Sequence, residues 1–417
     1  MAHEKEIDFG RSDRLILFAI PLFIILAFQL AKNPARILIY SFVYPVVSLP
    51  IYVLFGYELG VLNIALEILS IVALVFLFAK DNSGTNINGY LTIFIMLSLL
   101  TVYGFLQSIS SIPLTVAFLG IKMLFFPFIL ALVASFDGEF RSRLVSSLFY
   151  VQIINSIAVV AETALGIERL ESLGLEYGTN LRNFDSYLRA PGLALTNYIL
   201  GSFSASILFL AYLVLTHQFV LNKGISKRLC VLSGIGSIIC LVLSNFRSGI
   251  LFSVLAILLC EIISRRKFLG ASLALSLGTV VFLSAILSEF FLLDSNSFGA
   301  RQTKWADLLS SYDWKMGSGI GFTGAASRSS FAPVGSLVVT DNQFVSMLLQ
   351  FGLFGLLCSV FILLYLFAKG SPVSKSLVIA LAAMMLFVEA WDFTLFFSIV
   401  LYLIYDGIRV QRNQFPV

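Results

Sequence analysis

Apolar residues fill this chain in blocks of about twenty, separated by short polar turns, and that pattern predicts membrane-crossing helices. The blocks fall at about 15–31, 37–55, 61–79, 90–108, 112–135, 143–163, 198–216, 228–245, 248–264, 269–291, 343–368, 374–390 and 393–409. The first lacks a small-residue cleavage site and reads as a retained helix. Pro45 and Pro50 interrupt the second, so one early run is re-entrant or broken and the count stands at twelve or thirteen spans. The expected fold class is therefore all-α, a polytopic integral membrane protein forming one membrane domain over 1–417.

The polar residues between the blocks set an orientation. Lys223, Lys227 and Arg228, then Arg265, Arg266 and Lys267, then Lys369 and Lys375, then Arg409 and Arg412 mark internal turns. Lys32 with Arg36, and Arg141 with Arg143, have the same internal character. Alternation then places 164–196, the turn around 245–248 and 292–340 outside. The last is the longest non-apolar stretch, and loops of that size usually carry function or are disordered. Within it, 302–312 is predicted to form a short amphipathic helix, with Trp305, Leu308, Leu309 and Tyr312 at helical spacing. Gly317, Gly319, Gly321 and Gly324 follow, the signature of a turn or of close backbone approach.

Composition agrees with the pattern. Hydrophobic residues make up 59% of the chain and charged ones 12%, half the share of a typical soluble domain. Mean hydropathy is +0.97. The four cysteines (Cys230, Cys240, Cys260 and Cys358) lie inside apolar runs without CxxC spacing, and the two histidines are too few for a histidine-based metal centre. The net charge of +4 is explained by internal loops and calls for no nucleic acid. No Walker loop, GxSxG, HExxH or DxD motif is present, so neither a metal nor an organic cofactor is expected.

Candidate chemistry gathers on the external side. Arg189 precedes the run at 198, Arg247 sits in the turn Ser244-Asn245-Phe246-Arg247-Ser248-Gly249, and Arg301 follows the run ending near 291. A guanidinium close to hydrocarbon is costly unless it meets an anion, and its planar fork suits a diphosphate or carboxylate. Snorkelling or ion pairing at a helix end explains any one of them equally well; three together favour an anionic ligand. Asp341 stands where the long loop re-enters the membrane, as N-cap of the helix that follows or as a general base. Glu67, Lys122, Glu261 and Glu389, with Asp392 nearby, are scattered among separate runs without relay spacing, which favours internal pairing.

Four segments carry a resemblance. They are Arg189-Ala190-Pro191-Gly192 with Asn197; the Ser244–Gly249 turn; Arg301-Gln302-Thr303-Lys304-Trp305 with Gly317-Ser318-Gly319-Ile320-Gly321; and Asp341-Asn342-Gln343-Phe344 leading to Phe351-Gly352-Leu353-Phe354-Gly355. In order and spacing the chain resembles the Wzy-type O-antigen polymerases, relatives of the O-antigen ligases, over its C-terminal half. The resemblance implies a GT-C-like membrane enzyme of the bacterial inner membrane with its active site facing the periplasm. Such an enzyme moves a glycan from undecaprenyl diphosphate to a sugar hydroxyl on a second lipid-linked repeat unit, with no metal, and a chain-length regulator protein is implied as partner. It also implies catalytic roles for Arg189, Arg247, Arg301 and Asp341, and substrate contacts from Asn197, Asn245, Trp305, Gly319, Gly321 and Asn342. Aromatic residues (Trp305, Tyr312, Trp314 and Phe322) can stack on sugars or serve as interfacial anchors. Ligases of the family commonly have His where this chain has Asp341, which favours a polymerase. The alternatives are ligation of glycan to lipid A core and secondary transport or flipping of an anionic lipid-linked sugar.

Overall fold

A computed structural model describes residues 32–55, 66, 68–73, 88–109, 111–134, 138–175, 182–184, 187–216, 225–264, 295–324, 338, 340–390 and 393–414. The runs at 15–31 and 269–291, most of 61–79, and the residues Glu67 and Asp392 lie outside these described residues. The elements, in chain order, are α1 (Pro34–Val43), α2 (Ser48–Phe55), α3 (Asn88–Ser108), α4 (Leu114–Ala134), α5 (Gly138–Leu165), α6 (Ile167–Ser172), β1 (Arg182–Phe184), β2 (Tyr187–Arg189), α7 (Asn197–Leu215), α8 (Lys227–Leu243), α9 (Arg247–Ser264), α10 (Ser295–Ser311), α11 (Gln343–Lys369), α12 (Pro372–Met385) and α13 (Thr394–Gln414). A single 3₁₀ turn, Tyr44–Val46, separates α1 from α2 at Pro45, where the missing N–H and the ring forbid a continuous helix.

The protein is a mostly helical, membrane-embedded chain. Among the described residues, five helices, α3, α4, α5, α7 and α11, are long and apolar enough to cross a membrane. Their outer surfaces say the same. On α3 the residues Leu91, Ile95, Leu99, Val102 and Leu106 form an exposed stripe three and four residues apart, while Ile93, Leu97 and Leu100 are buried. A helix apolar on both faces has hydrocarbon rather than water as its outer solvent. With no water to satisfy peptide groups there, the chain must pair its own backbone, and helix is the local solution.

Contacts divide the chain into two units. Unit 1 comprises 1–85, 137–201 and 222–245; in it α5 is the central helix, packing against α1, α6 and α8. Gly236 of α8 allows the close approach to α5, since a Cβ there would meet Ser156 at 3.0 Å. Unit 2 comprises 86–136, 202–221 and 246–417; α12 packs against α9, α11 and α13, α4 against α13, and α3 against α4 and α11. The antiparallel hairpin β1–β2, with Arg182 opposite Arg189, belongs to unit 1.

One expected continuous helix is not continuous. The run at 343–368 becomes α11, but Gly352 has φ 64° and ψ −158° and divides it. The segment after α10 occupies the break: Leu353 N–H donates to Lys315 O, while Ser318 and Gly319 N–H donate to the freed carbonyls of Leu349 and Gln350. An interrupted helix in an apolar medium needs such substitutes for its lost hydrogen bonds. Glycine is required on both sides. A Cβ on Gly352 would collide with Lys315 O, and one on Gly317 would lie 2.5 Å from Gly352 N.

Candidate functional site

Asp341 stands two residues before the first helical residue of α11. This residue has φ 49°, a left-handed conformation that Asp and Asn tolerate better than other residues with a Cβ. The expectation that it caps α11 is corrected by one position. Asn342 is the N-cap, and its Oδ1 accepts from Phe344 N–H at 2.9 Å and Val345 N–H at 3.1 Å. Its Nδ2 donates to Leu386 O at 3.1 Å, so the side chain expected to touch substrate is engaged by the fold. The physical reason is the turn itself: only a residue in extended geometry (Asn342 has φ −156°, ψ 119°) can aim its side chain back at the first N–H groups. Asp341, one residue earlier, is left half-buried with no part in capping.

Thr340 fixes the other side of Asp341. Its N–H donates to Glu389 Oε1 at 2.8 Å, its hydroxyl also reaches that carboxylate, and its carbonyl accepts from the Trp305 indole N–H at 2.5 Å. Glu389 is 4% exposed and stands in the short break between α12 and α13. It is therefore a buried acid with a defined task, rather than one more ionisable residue scattered among spans. The amphipathic helix expected at 302–312 is present as α10. Trp305, Leu308 and Leu309 pack on the buried group Val338, Val345 and Leu349, and Tyr312 meets Phe322 edge-on at 4.9 Å. Arg301 lies one turn before Trp305 on α10, half-buried. The indole bond to Thr340 thus brings the Arg301 turn of α10 to the start of α11, where Asp341 stands.

Arg247 belongs to the same end of unit 2. It opens α9, and the preceding Phe246 packs edge-on against Phe393 at 5.6 Å. Phe393 follows the break that holds Glu389, and Leu386, which accepts from Asn342, precedes it. Leu386, Glu389 and Phe393 therefore link the start of α9 to the start of α11 through contacts within unit 2. Lys369 is in the last turn of α11, at the opposite end of that helix from Asp341.

Gly319 and Gly321 are placed where backbone approach is closest. Gly319 has φ 107° and would place a Cβ 2.5 Å from Ser108 Oγ; Gly321 has φ 87° and would place one 2.6 Å from Val116 O. Gly321 N–H donates to Gln350 Oε1 at 2.9 Å, and Gln350 Nε2 donates to Thr323 Oγ1 and Ser346 Oγ. The close approach read from the glycine pattern is observed; its partners are α3, α4 and α11.

Unit 1 carries Arg189, Asn197 and Asn245. Arg189 ends β2 half-buried, and the segment after it is tied to α5. Gly192 N–H donates to Glu162 Oε2 at 2.7 Å, and Leu193 N–H to Asn155 Oδ1 at 2.9 Å. Asn155 Nδ2 also holds Val46 O at 3.1 Å, next to the break at Pro45. Gly192 has φ 63° and leaves no room for a side chain, with Asn155 Oδ1 2.9 Å from a Cβ. Asn197 is 1% exposed and donates from Nδ2 to Ser244 O at 3.1 Å, setting the turn that leads to Asn245. Asn245 has φ 48°.

Glu162 and Asn155 escaped the sequence reading. Glu162 had a signal, since an acid in the last turn of a helix opposes the dipole there and implies a specific donor. Among the described residues, no group of three His, Cys, Asp or Glu side chains gathers to hold a metal ion. Asp341 stands at the start of α11, Arg247 opens α9, Arg301 lies within α10 and Arg189 ends β2. Compared with known families and with curated proteins, the chain matches no family model and no curated sequence.

Proposed function

We propose that this protein is a polysaccharide polymerase of the bacterial inner membrane, transferring glycan from undecaprenyl diphosphate to the sugar hydroxyl of another lipid-linked repeat unit on the periplasmic side. The observation that carries the reading is the start of α11. Asp341 is held in a left-handed conformation, excluded from capping by Asn342, and flanked by Thr340, which Glu389 and Trp305 fix. Backbone strain of this kind, over-determined by its surroundings, is characteristic of reactive positions.

The chemistry follows from the groups. The acceptor hydroxyl oxygen attacks the anomeric carbon, and its proton passes to the Asp341 carboxylate. The bond from that carbon to the diphosphate oxygen breaks with both electrons going to oxygen. Arg247 and Arg301 neutralise the charge that develops there, and a guanidinium fork does so with two parallel hydrogen bonds. Arg189 orients donor or acceptor, as the resemblance implies, and Trp305 forms an edge of the sugar path. The implied partners are the two lipid-linked glycans and a regulator of chain length.

The test is a reaction of purified protein with undecaprenyl diphosphate-linked repeat units in EDTA, resolved as a ladder on a gel. A ladder without nucleotide sugar is the expected result. Transfer onto added lipid A core without a ladder would instead make the protein a ligase. Neither product, from folded protein and verified substrate, would remove the enzymatic reading and favour a transporter of the same lipid.

A further inference from the structure

We infer a second anion site, at the far end of α5 from the Arg189 segment, that takes the phosphate of a membrane lipid headgroup. A cavity of about 430 Å³ lies there within unit 1, lined by Asn33, Arg36 and Ile39 of the α1 end and by Ser142, Arg143, Ser146, Ser147 and Tyr150 of α5. That volume is in the range of small-molecule sites, roughly 300–1,000 Å³. Arg143 and Glu162 are nineteen residues apart on one helix, so the cavity is about 28 Å along α5 from the Gly192 contact. Its ligand is therefore a different molecule, or a different part of one, from any ligand of the Arg189 segment, and the inference does not depend on the polymerase reading.

Two arginines and three serines in the lining bring guanidinium and hydroxyl donors suited to a phosphate. The lining changes in character along both helices in the same sense. Asn33 and Arg36 precede Ile39 on one side, and Ser142 and Arg143 precede Tyr150 on the other. Arg143 and Tyr150 are separated by about 10 Å of helix rise. Tyr150 is 59% exposed on a helix apolar enough to cross the membrane, so the cavity opens sideways towards hydrocarbon. A donor-rich mouth that grades into an apolar, laterally open end matches a phospholipid, with its phosphate at the arginines and its glycerol and acyl chains at Ile39 and Tyr150. Asn33, the residue before α1, makes no side-chain capping bond and is part of the lining. Basic pockets between helices on the positive side of a membrane protein suit such headgroups.

Full-length protein is exchanged into detergent containing phosphatidylglycerol or phosphatidylcholine, and retained lipid is counted by native mass spectrometry. Wild type is expected to retain one phosphatidylglycerol in preference to phosphatidylcholine, and R36A/R143A to bind it roughly thirtyfold more weakly. Ser146→Phe, which fills the cavity while leaving both arginines, is expected to lose the same lipid. A parallel arm adds inorganic phosphate to lipid-free protein and follows thermal unfolding. Stabilisation of wild type but not of R36A/R143A by phosphate, with no lipid preference, would assign the site to a free phosphate instead of a lipid. Equal retention of both lipids by wild type and variants, with no effect of phosphate, would overturn the inference.

Discussion

Two helix starts in this protein use the same backbone device for different ends. Asn245 at φ 48° precedes α9 and Asp341 at φ 49° precedes α11, and these are the non-glycine residues with positive φ among the described residues. Around Asn245 the support is light. Its N–H donates to Val242 O, Ser244 O accepts from Asn197, and after Phe246 the next helix begins at once with Arg247. Around Asp341 the support is heavy. Thr340 is held by Glu389 and Trp305, and Asn342 by the two amides it caps and by Leu386. The first turn is a tight reversal that delivers an arginine; the second is a mount for a carboxylate. Strain that is merely tolerated needs little scaffolding, whereas a group that must be aimed needs its neighbours fixed.

The sharpest way to separate the two is to keep the backbone and remove the side chain. Glycine adopts left-handed φ freely, so Asp341→Gly is expected to leave thermal unfolding near wild type while lowering polymer formation about 10²–10⁴-fold, the share of a general base. Asn245→Gly is expected to leave thermal unfolding near wild type and polymer formation within roughly tenfold, because one neutral hydrogen bond from its side chain to substrate is worth about 1 kcal/mol. Matching losses in the two variants, read on the ladder gel with repeat-unit substrate, would erase the distinction between the two turns.

Next in size are the arginines near these two helix starts. Arg247→Ala and Arg301→Ala should each lower polymer formation by about 10²–10³, the loss seen when one preorganised donor to a developing oxyanion is removed. Both proteins should still be recovered from the membrane fraction at wild-type levels. Lysine at either position should rescue poorly, since an ammonium lacks the paired donors of the fork. Full polymer from both alanine variants would end the diphosphate role.

Glu389→Gln tests the mount rather than the carboxylate it carries. Glutamine keeps the shape and can accept from Thr340, but it loses the charge that strengthens both bonds. Polymerisation should drop about tenfold, a cost near 1.4 kcal/mol, with the fall in kcat and KM little changed. A purely structural role for Glu389 would instead lower the unfolding temperature and leave the kcat of the folded fraction intact.

Hydropathy alone located the helices closely where the run and the helix coincide: 198–216 against Asn197–Leu215, and 248–264 against Arg247–Ser264. It failed at Gly352, because apolar character is unbroken from 343 to 368 and the break is imposed by the backbone of 315–319, far away in sequence. It put the cap at Asp341 rather than Asn342, since both residue types cap well and the choice depends on which one is extended. Glu389 was visible as a costly residue in an apolar run, but its partner Thr340 is 49 residues away. Glu162 and Asn155 likewise act across 30 and 38 residues of chain. What the sequence showed, then, was local periodicity and the residue types suited to anions; what it hid were the long-range hydrogen bonds that aim them.

The smallest expected effect falls first on stability. Asn342→Ala removes the acceptor for Phe344 and Val345 N–H, and loss of such a cap costs about 1 kcal/mol. It also removes the bond to Leu386, which anchors the start of α11 to the end of α12. Asn342→Asp should restore the cap, because a carboxylate accepts from the same amides and suits the positive helix start, but it cannot donate to Leu386 O. The series therefore divides the two functions of one side chain: a lower unfolding midpoint in alanine than in aspartate reports the cap, and any deficit remaining in aspartate reports the tie to α12. If the start of α11 is a rigid mount for Asp341, activity should fall in step with loss of that tie. Activity that follows only the cap would mean that the first turn of α11, and not the stretch 386–393, aims the carboxylate.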